Sequence, residues 1–294
     1  MQHWRRAKTR RQILISLVAV GLIGVAVPNP SANAARSNTT GLMVSRCSFS
    51  HRAPSDPIVH PGMSGMSHSH DFFGNTTTNA DSTPESMAGQ TTTCRTVGDT
   101  AAYWVPTLYA NNRIVEPVAS LAYFQALGDG PVAEMPIDLK MVAGGKANVR
   151  WACFDHGMSN AKSNQPRFCA REQFLSVGVK FPECWNGTDL DSVDHRSHMA
   201  YATPDNICPT THPVKVPRLT FWVLYERTPR RATLSLASGA IDTAHADFFN
   251  TADPATQTIL HDYCIGGQRI CYKTMYRVLQ KLGLDRNGTT KLST

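Results

Sequence analysis

Histidine is the residue type whose spacing in this sequence points most directly to chemistry. His68 and His70 are separated by a single residue, Ser69. In a strand, side chains two residues apart point to the same face, about 6.6 Å apart along the chain. Both imidazoles could therefore reach one metal ion or one substrate.

Two further segments place imidazoles beside carboxylates. Asp194 precedes His195 and His198, and His245 is followed by Asp247. A carboxylate next to an imidazole orients a general base, and the same residue types present metal ligands on a loop. We therefore predict one polar cleft, whose candidate catalytic residues are His68, His70, Asp194, His195, His198, His245 and Asp247.

The same histidines are candidate ligands for a metal ion. Zinc or copper would need three or more imidazole nitrogens able to approach a common point at about 2.0–2.1 Å. Metal-free acid–base catalysis and plain structural hydrogen bonds use the same residue types, so the sequence leaves the cofactor open. The candidate metal ligands are His68, His70, His195, His198 and His245.

Several familiar catalytic motifs are absent from the sequence. It contains no G-x-S-x-G nucleophile elbow, no phosphate-binding glycine loop and no H-E-x-x-H motif. The enzyme classes that depend on these motifs are therefore disfavoured.

The first 34 residues have the pattern of a secretory signal peptide. Five basic residues within the first eleven are followed by an apolar run over 13–27 and by an Ala-Asn-Ala triplet at 32–34. The run is shorter than the roughly 20 residues that a membrane-spanning helix needs. We predict cleavage near Ala35 after Sec or twin-arginine export, and hence a secreted, extracellular protein with no membrane partner after cleavage.

The net charge of +7 is concentrated in that leader. Without its five basic residues, 24 basic residues remain against 22 acidic ones. This balance gives no electrostatic case for a nucleic acid or an anionic membrane as partner. We expect a monomer, and extracellular polysaccharide is the partner that the sequence leaves open.

All eight cysteines follow the predicted cleavage site, and an even count in an exported chain indicates disulfide bonds. The count alone leaves many connectivities open. We expect neighbours to pair, because each neighbouring pair encloses a segment rich in Gly, Pro, Ser or Asn. The expected bonds are Cys47–Cys94, Cys153–Cys169, Cys184–Cys208 and Cys264–Cys271.

Short apolar segments bounded by turn residues, within a chain that is 41% hydrophobic, indicate a mainly β globular fold. The clearest is 216–226, where an apolar face alternates with a mixed one. We predict a β-sandwich or jelly-roll-like domain with long disulfide-stapled loops and short C-terminal helices. The other predicted strands are 41–47, 102–109, 120–124, 138–142 and 149–154, and the helices are 253–264 and 272–282. The predicted organisation is a signal peptide 1–34, a flexible tail 35–40, a single domain 41–285 and a C-terminal tail 286–294.

A series of short motifs in a fixed order resembles the secreted DUF1996 family of fungi and actinobacteria. The resemblance runs from about residue 41 to 271, nearly the whole predicted mature chain. It implies a secreted protein associated with cell walls, and the family is named for its unknown function. The motifs are DPIVHPG at 56–62, SHSHDFFG at 67–74, YWVPTLY at 103–109, FPECWNG at 181–187, DHRSHMAY at 194–201, CPTTHPV at 208–214 and HADF at 245–248.

Two functions from different classes therefore stay open. The first is a hydrolase or lyase that acts on extracellular or cell-wall polysaccharide through the His/Asp-rich cleft. The second is a non-catalytic cell-wall or glycan-binding module, in which the histidines are structural and tryptophans stack on sugars. Convergence of the histidines in space would favour the first. The candidate stacking residues are Trp104, Trp151, Trp185 and Trp222.

Overall fold

The structure is a computed structural model that describes residues 41–96, 98–155, 158–159 and 162–271. Strands predominate, and the helices are short. The strands are β1 (Leu42–Cys47), β2 (Phe49–Ala53), β3 (His70–Gly74), β4 (Ala102–Pro106), β5 (Leu108–Ala110), β6 (Arg113–Ile114), β7 (Pro117–Gln125), β8 (Lys140–Gly144), β9 (Val149–Asp155), β10 (Met158–Ser159), β11 (Phe174–Lys180), β12 (Cys184–Trp185), β13 (Met199–Ala200), β14 (Val214–Lys215), β15 (Arg218–Tyr225), β16 (Leu234–Leu236), β17 (His245–Phe249) and β18 (Ile270–Cys271). The helices are α1 (Pro84–Met87) and α2 (Pro254–Leu260), with a 3₁₀ turn at Ile241–Thr243 and a π-helical segment at His261–Gly266.

Two sheets form the body of the domain and confirm the predicted β-sandwich. One has seven strands in the order β10-β9-β11-β15-β7-β1-β18, and the other has five in the order β2-β3-β4-β17-β8. Apolar side chains from one face of each sheet share one core. Tyr103 of β4 stacks on Phe221 of β15 at 5.1 Å between ring centroids, and Phe124 of β7 meets Phe248 of β17 at 6.2 Å.

The alternation in β15 has the predicted consequence. Leu219, Phe221 and Val223 are fully buried in the shared core. The residues between them belong to the other face of the sheet, where Arg218 and Thr220 are only half-buried. Each sheet therefore has an inner face toward the core and an outer face away from it.

Several predicted strands differ from the structure at their ends, and two of these differences have a physical cause in the structure. The segment 102–109 is divided at Thr107, whose hydroxyl donates a hydrogen bond to Asp71 and whose amide donates to the carbonyl of Ser69. The strand predicted from 138 begins at Lys140, because Asp138 has a φ of +66° and lies in the left-handed region. Tertiary contacts override the local pattern at both places.

All four disulfide bonds join the predicted neighbours, with Cα–Cα separations of 3.8 to 5.9 Å. The bond between Cys153 and Cys169 ties β9 to the loop that precedes β11. A disulfide bond reduces the conformational freedom of the unfolded chain between its two cysteines, and so stabilises the folded state.

Helix α2 begins as predicted, with Asp253 accepting a hydrogen bond from the Thr256 amide and Pro254 in the first turn. Helix α1 was not predicted. It is a single turn held by a reciprocal capping box between Thr83 and Ser86. No helix among the described residues has the length and apolar character that crossing a bilayer requires. The predicted signal peptide, both predicted tails and the predicted helix 272–282 lie outside the described residues.

Candidate metal centre

Three histidines from distant parts of the chain meet at one end of the five-stranded sheet. His70 and His245 begin β3 and β17, and His68 lies just before β3. The ring centroid of His68 lies 4.2 Å from that of His70 and 5.1 Å from that of His245. One nitrogen of each ring lies within 4.8 Å of the others, and the described residues place no other three histidines so close together.

The strand order explains this meeting. In the sheet, β4 lies between β3 and β17, and Pro106 of β4 pairs with His70. In the antiparallel pairing of β17 with β4, Asp247 lies opposite Trp104, so His245 lies toward the end of β4 that holds Pro106. His70 and His245 are thus aligned across one intervening strand, although 174 residues of chain separate them.

Backbone carbonyls orient two of the three rings. His70 Nδ1 lies 2.9 Å from the Ser55 carbonyl oxygen, and His245 Nδ1 lies 2.9 Å from that of Thr243. Because a carbonyl only accepts, each Nδ1 carries the proton and each Nε2 keeps a lone pair. This is the outer-shell arrangement that fixes metal-binding histidines. The Nε2 atoms of His68 and His70 are buried and have no hydrogen-bond partner among the described residues.

Two buried carboxylates adjoin the imidazoles. One oxygen each from Asp56 and Asp247 and one nitrogen of His70 lie within 4.8 Å of one another. Asp56 accepts hydrogen bonds from the amides of Ile58 and Val59 at 3.0 and 2.9 Å. Both oxygens of Asp247 are buried without a hydrogen-bond partner among the described residues. We call His68, His70, His245, Asp56 and Asp247 the His/Asp cluster.

Burial sets the protonation of this cluster. It raises the pKa of Asp247 well above its ordinary value; the charge of Asp56 adds to the rise and that of Arg196 opposes it. Burial also lowers the pKa of His70 well below its ordinary value, and lowers that of His245 to about 4. The imidazoles are therefore neutral near pH 7, so they can act as ligands but cannot balance the two carboxylates.

Asp194, His195 and His198 lie on a turn whose Arg196 acts electrostatically on Asp247. None of the three belongs to a group of potential ligands within 4.8 Å of one another among the described residues. Asp194 Oδ1 accepts from the amides of Arg196 and Ser197, and these bonds hold the pKa of Asp194 well below its usual range.

The two histidines of this turn are also engaged in hydrogen bonds. His195 Nδ1 lies 2.9 Å from Asp191 Oδ1. His198 is buried, with Nδ1 2.8 Å from Ser192 Oγ and Nε2 2.7 Å from the Lys140 carbonyl. His68, His70, His245 and Asp247 of the predicted cleft thus belong to the cluster. Asp194, His195 and His198 form the neighbouring turn and, in the described part of the chain, belong to no group of potential ligands within 4.8 Å of one another.

Sequence reasoning missed two residues of this region. Asp56 lies in the loop before β3, 12 residues from His68, and has no histidine beside it that would have marked it. Arg196 was passed over within its own motif, although its charge acts on both His245 and Asp247. The only available signal was the motif order itself, since both residues belong to segments that resemble the family.

Two of the four candidate stacking tryptophans, Trp104 and Trp151, cannot take that role. Trp104 and Trp151 are both 0% exposed, so neither ring can contact a sugar. Trp185 is half-buried and donates its Nε1 hydrogen to the Asp189 carbonyl at 2.7 Å. Trp222 is 6% exposed. For Trp104 and Trp151 the expectation was wrong, because large aromatic side chains supply much of the core in a sandwich of this size.

Comparison with known proteins gives one match. The family model described as "Domain of unknown function (DUF1996)" matches residues 56–251, a segment that contains the whole His/Asp cluster. Neither the curated proteins nor the solved structures contain a match to this chain.

Proposed function

We propose that this chain, which belongs to the DUF1996 family, is a metal-dependent hydrolase or lyase of extracellular or cell-wall polysaccharide. The observation that carries the proposal is the His/Asp cluster. His70 belongs to both groups of potential ligands, which joins three imidazoles and two carboxylates into one cluster.

A divalent cation would coordinate the unpartnered nitrogen and oxygen atoms of the cluster and neutralise its carboxylates. Two carboxylates buried side by side are costly unless they are protonated or neutralised by a cation. The neutral imidazoles cannot neutralise them, and the Nε2 atoms of His68 and His70 have no hydrogen-bond partner among the described residues. Zinc accepts this mixture of nitrogen and oxygen ligands, and copper also accepts imidazole. We take zinc as the first choice and copper as the second.

The arrangement offers the two groups that hydrolysis or elimination requires. A bound ion would act as a Lewis acid on a substrate oxygen. A carboxylate of the cluster that is not a ligand would serve as the base, taking a proton from water in hydrolysis or from a sugar carbon in elimination. In both reactions the glycosidic C–O bond breaks, and the carboxyl group that took the proton would return it to the departing oxygen. Hydrolysis leaves the hydroxide of the water on the anomeric carbon, and elimination leaves a carbon–carbon double bond in the sugar. Arg196, exposed on the neighbouring turn, supplies positive charge beside Asp247.

The proposed substrate rests on the compartment that the disulfide bonds suggest. Four disulfide bonds and no free cysteine among the described residues are typical of proteins that work outside the reducing cytosol. Polysaccharide is an abundant polymer of that compartment, and β-sandwich domains present sheet faces and loops to such polymers.

Metal analysis of untagged protein tests the first half of the proposal. The wild type, loaded with zinc or copper and then dialysed, should retain about one equivalent of one of these ions. A His70→Ala/His245→Ala double variant should retain less than about a tenth of that. A His212→Ala variant is the matched control, because His212 bonds to the Ser197 carbonyl and belongs to no group of potential ligands among the described residues, so this variant should keep its metal.

The folding of the variants has to be separated from their metal content. Thermal unfolding with and without metal makes this separation, because an ion that binds the folded state raises the melting temperature. The half-buried His68 offers a milder variant, His68→Ala, should the double variant fail to fold. Equal metal content in the wild type and in every cluster variant would refute the metal site.

Activity assays test the second half of the proposal, the cleavage of polysaccharide. Cell-wall and extracellular polysaccharides are incubated with the metal-loaded protein, and new reducing ends and the ultraviolet absorbance of unsaturated sugars are measured. Reducing ends alone indicate hydrolysis, whereas both signals together indicate elimination. Binding to polysaccharide without either signal would favour the non-catalytic module instead.

A further inference from the structure

The outer face of the seven-stranded sheet carries a groove that the His/Asp cluster does not use. The groove has a volume of about 490 Å³ and crosses β9, β11, β15 and β7, which are neighbours in the sheet. This volume lies within the range of about 300–1,000 Å³ that is usual for ligand sites. We call it the basic groove, for the side chains described next.

Cationic side chains line the basic groove on three adjacent strands and one loop. Arg150 lies on β9, Lys180 on β11, Arg218 on β15 and Lys162 on the loop before β11. No acidic residue occurs among the described residues that line it. Nearby, Glu183 approaches Arg218 at 3.8 Å, which offsets part of one charge. The groove is therefore strongly positive in a chain whose predicted mature form is almost neutral.

The floor of the groove is flat and partly aromatic. Gly178 of β11 pairs with Trp222 of β15, and the indole lies so close to Gly178 that a Cβ atom there would overlap it. Tyr123 and Thr220 extend the floor on the same face. Lys162 lies over the Trp222 ring, with Nζ 5.5 Å from the centroid. Trp222 itself is 6% exposed and lies beneath Lys162, so the accessible part of the floor is formed by the half-buried Tyr123 and Thr220. The cations around this floor can recognise anionic groups.

We infer that the basic groove binds an extended polysaccharide that carries carboxylate groups. Arg150 pairs with Gly178 and Lys180 pairs with Thr220, so Arg150, Lys180 and Arg218 form a diagonal row across three strands. Successive positions in such a row are about 7–8 Å apart, so each cation can meet a different carboxylate of an extended chain. Arginine pairs with carboxylates through two parallel hydrogen bonds. Arg218 lines the groove with a half-buried side chain, so its guanidinium group can take part in such a pair.

The basic groove and the His/Asp cluster lie on opposite outer faces of the sandwich. Phe72, two residues after His70 and on the same strand face, packs with Trp104 outside the shared core, whereas Phe73 belongs to that core. On the other sheet, Trp222 lies outside the shared core and Phe221 inside it. The groove is thus a second site, and the inference does not depend on the proposed catalytic function.

Binding of polygalacturonate to the chain from Ala35 onward tests the inference. The measurement is titration calorimetry at low ionic strength with EDTA present, which keeps any metal site out of the result. Fully methyl-esterified polygalacturonate is the matched neutral ligand, because it has the same backbone without the charges. We expect the charged polymer to bind at least about tenfold more tightly than the ester, with an affinity that falls as salt is added.

Charge variants locate the binding. Lys162→Gln/Lys180→Gln should weaken binding at least about tenfold. Arg95→Gln/Arg113→Gln is the control, because it removes the same charge from two exposed side chains that do not line the groove. The His70→Ala/His245→Ala variant should bind as the wild type does, which separates this inference from the proposed metal site.

Three results would overturn the inference. The first is equal loss of affinity in the groove and control variants, which would indicate a general charge effect. The second is equal affinity for the charged polymer and its methyl ester. The third is tighter binding of a single-stranded oligonucleotide, which would assign the groove to nucleic acid.

Discussion

Asp99 is a buried carboxyl group whose ionisation should weaken the fold as the pH rises. Burial raises its pKa to about 6, although hydrogen bonds from Ser45 and Tyr103 oppose the rise. The folded state therefore holds this proton more tightly than the unfolded state, where the pKa is about 3.9. Stability from this group is complete below about pH 4 and is lost as the pH passes through 6, a loss of about 3 kcal/mol.

An Asp99→Asn variant should remove this pH dependence. Its free energy of unfolding relative to the wild type should increase between pH 4 and pH 7, as measured by urea unfolding at several pH values. Asp81→Asn, at an exposed position, provides the control. An identical pH profile for Asp99→Asn and the wild type would contradict the assignment.

His198 should contribute to the stability of the fold and should not be needed for metal binding. Its two ring nitrogens bond to Ser192 Oγ and to the Lys140 carbonyl in a buried setting. His198→Ala leaves the carbonyl without its donor, which should cost about 1–3 kcal/mol in the free energy of unfolding. Metal content measured on the same sample should equal that of the wild type. If the ion is lost, the turn at 191–198 belongs to the metal site after all.

At the scale of the element, the pairing of β11 with β15 depends on a glycine. The Trp222 indole fills the space where a Cβ of residue 178 would lie. Gly178→Ala should force the ring to shift and destabilise the protein by about 1–3 kcal/mol in urea unfolding. Gly266→Ala is the control, since the nearest atom to a Cβ there is the His261 carbonyl oxygen at 3.9 Å. Equal stability of the two variants would show that Trp222 moves freely.

At the scale of the whole molecule, the four disulfide bonds close loops of very different lengths. Cys47 and Cys94 are 47 residues apart, whereas Cys264 and Cys271 are 7 apart. By the loop entropy of the unfolded chain, replacing the first pair by serine should cost about 4 kcal/mol and the second about 2 kcal/mol.

The ranking can be measured with paired Cys→Ser variants in urea. The intact mass of the unreduced wild type should show no alkylated thiol under denaturing conditions. A larger loss for the Cys264–Cys271 pair than for the Cys47–Cys94 pair would mean that native packing around the bond, rather than the closed loop, dominates its contribution.

Local patterns in the sequence were sufficient for much of the fold. The alternation in 216–226, the capping signal at Asp253 and the four neighbouring cysteine pairs all have their predicted counterparts in the structure. The strand and the helix start were predictable because side-chain period and helix capping depend on residues close together in the chain. The disulfide bonds were predictable because each cysteine bonds to a neighbouring cysteine in the sequence.

The membership of the candidate site was decided by the tertiary structure. The H-x-H spacing marked His68 and His70, but only the position of β4 between β3 and β17 brings His245 to them. Asp56, on the loop before β3, is a member of the His/Asp cluster. His198 is not a member, and its Nε2 bonds to the Lys140 carbonyl instead. Strand order and loop packing are set by the burial of side chains distant in sequence. The sequence therefore shows which residues can bind a metal or transfer a proton, but only the tertiary structure shows which of them lie together.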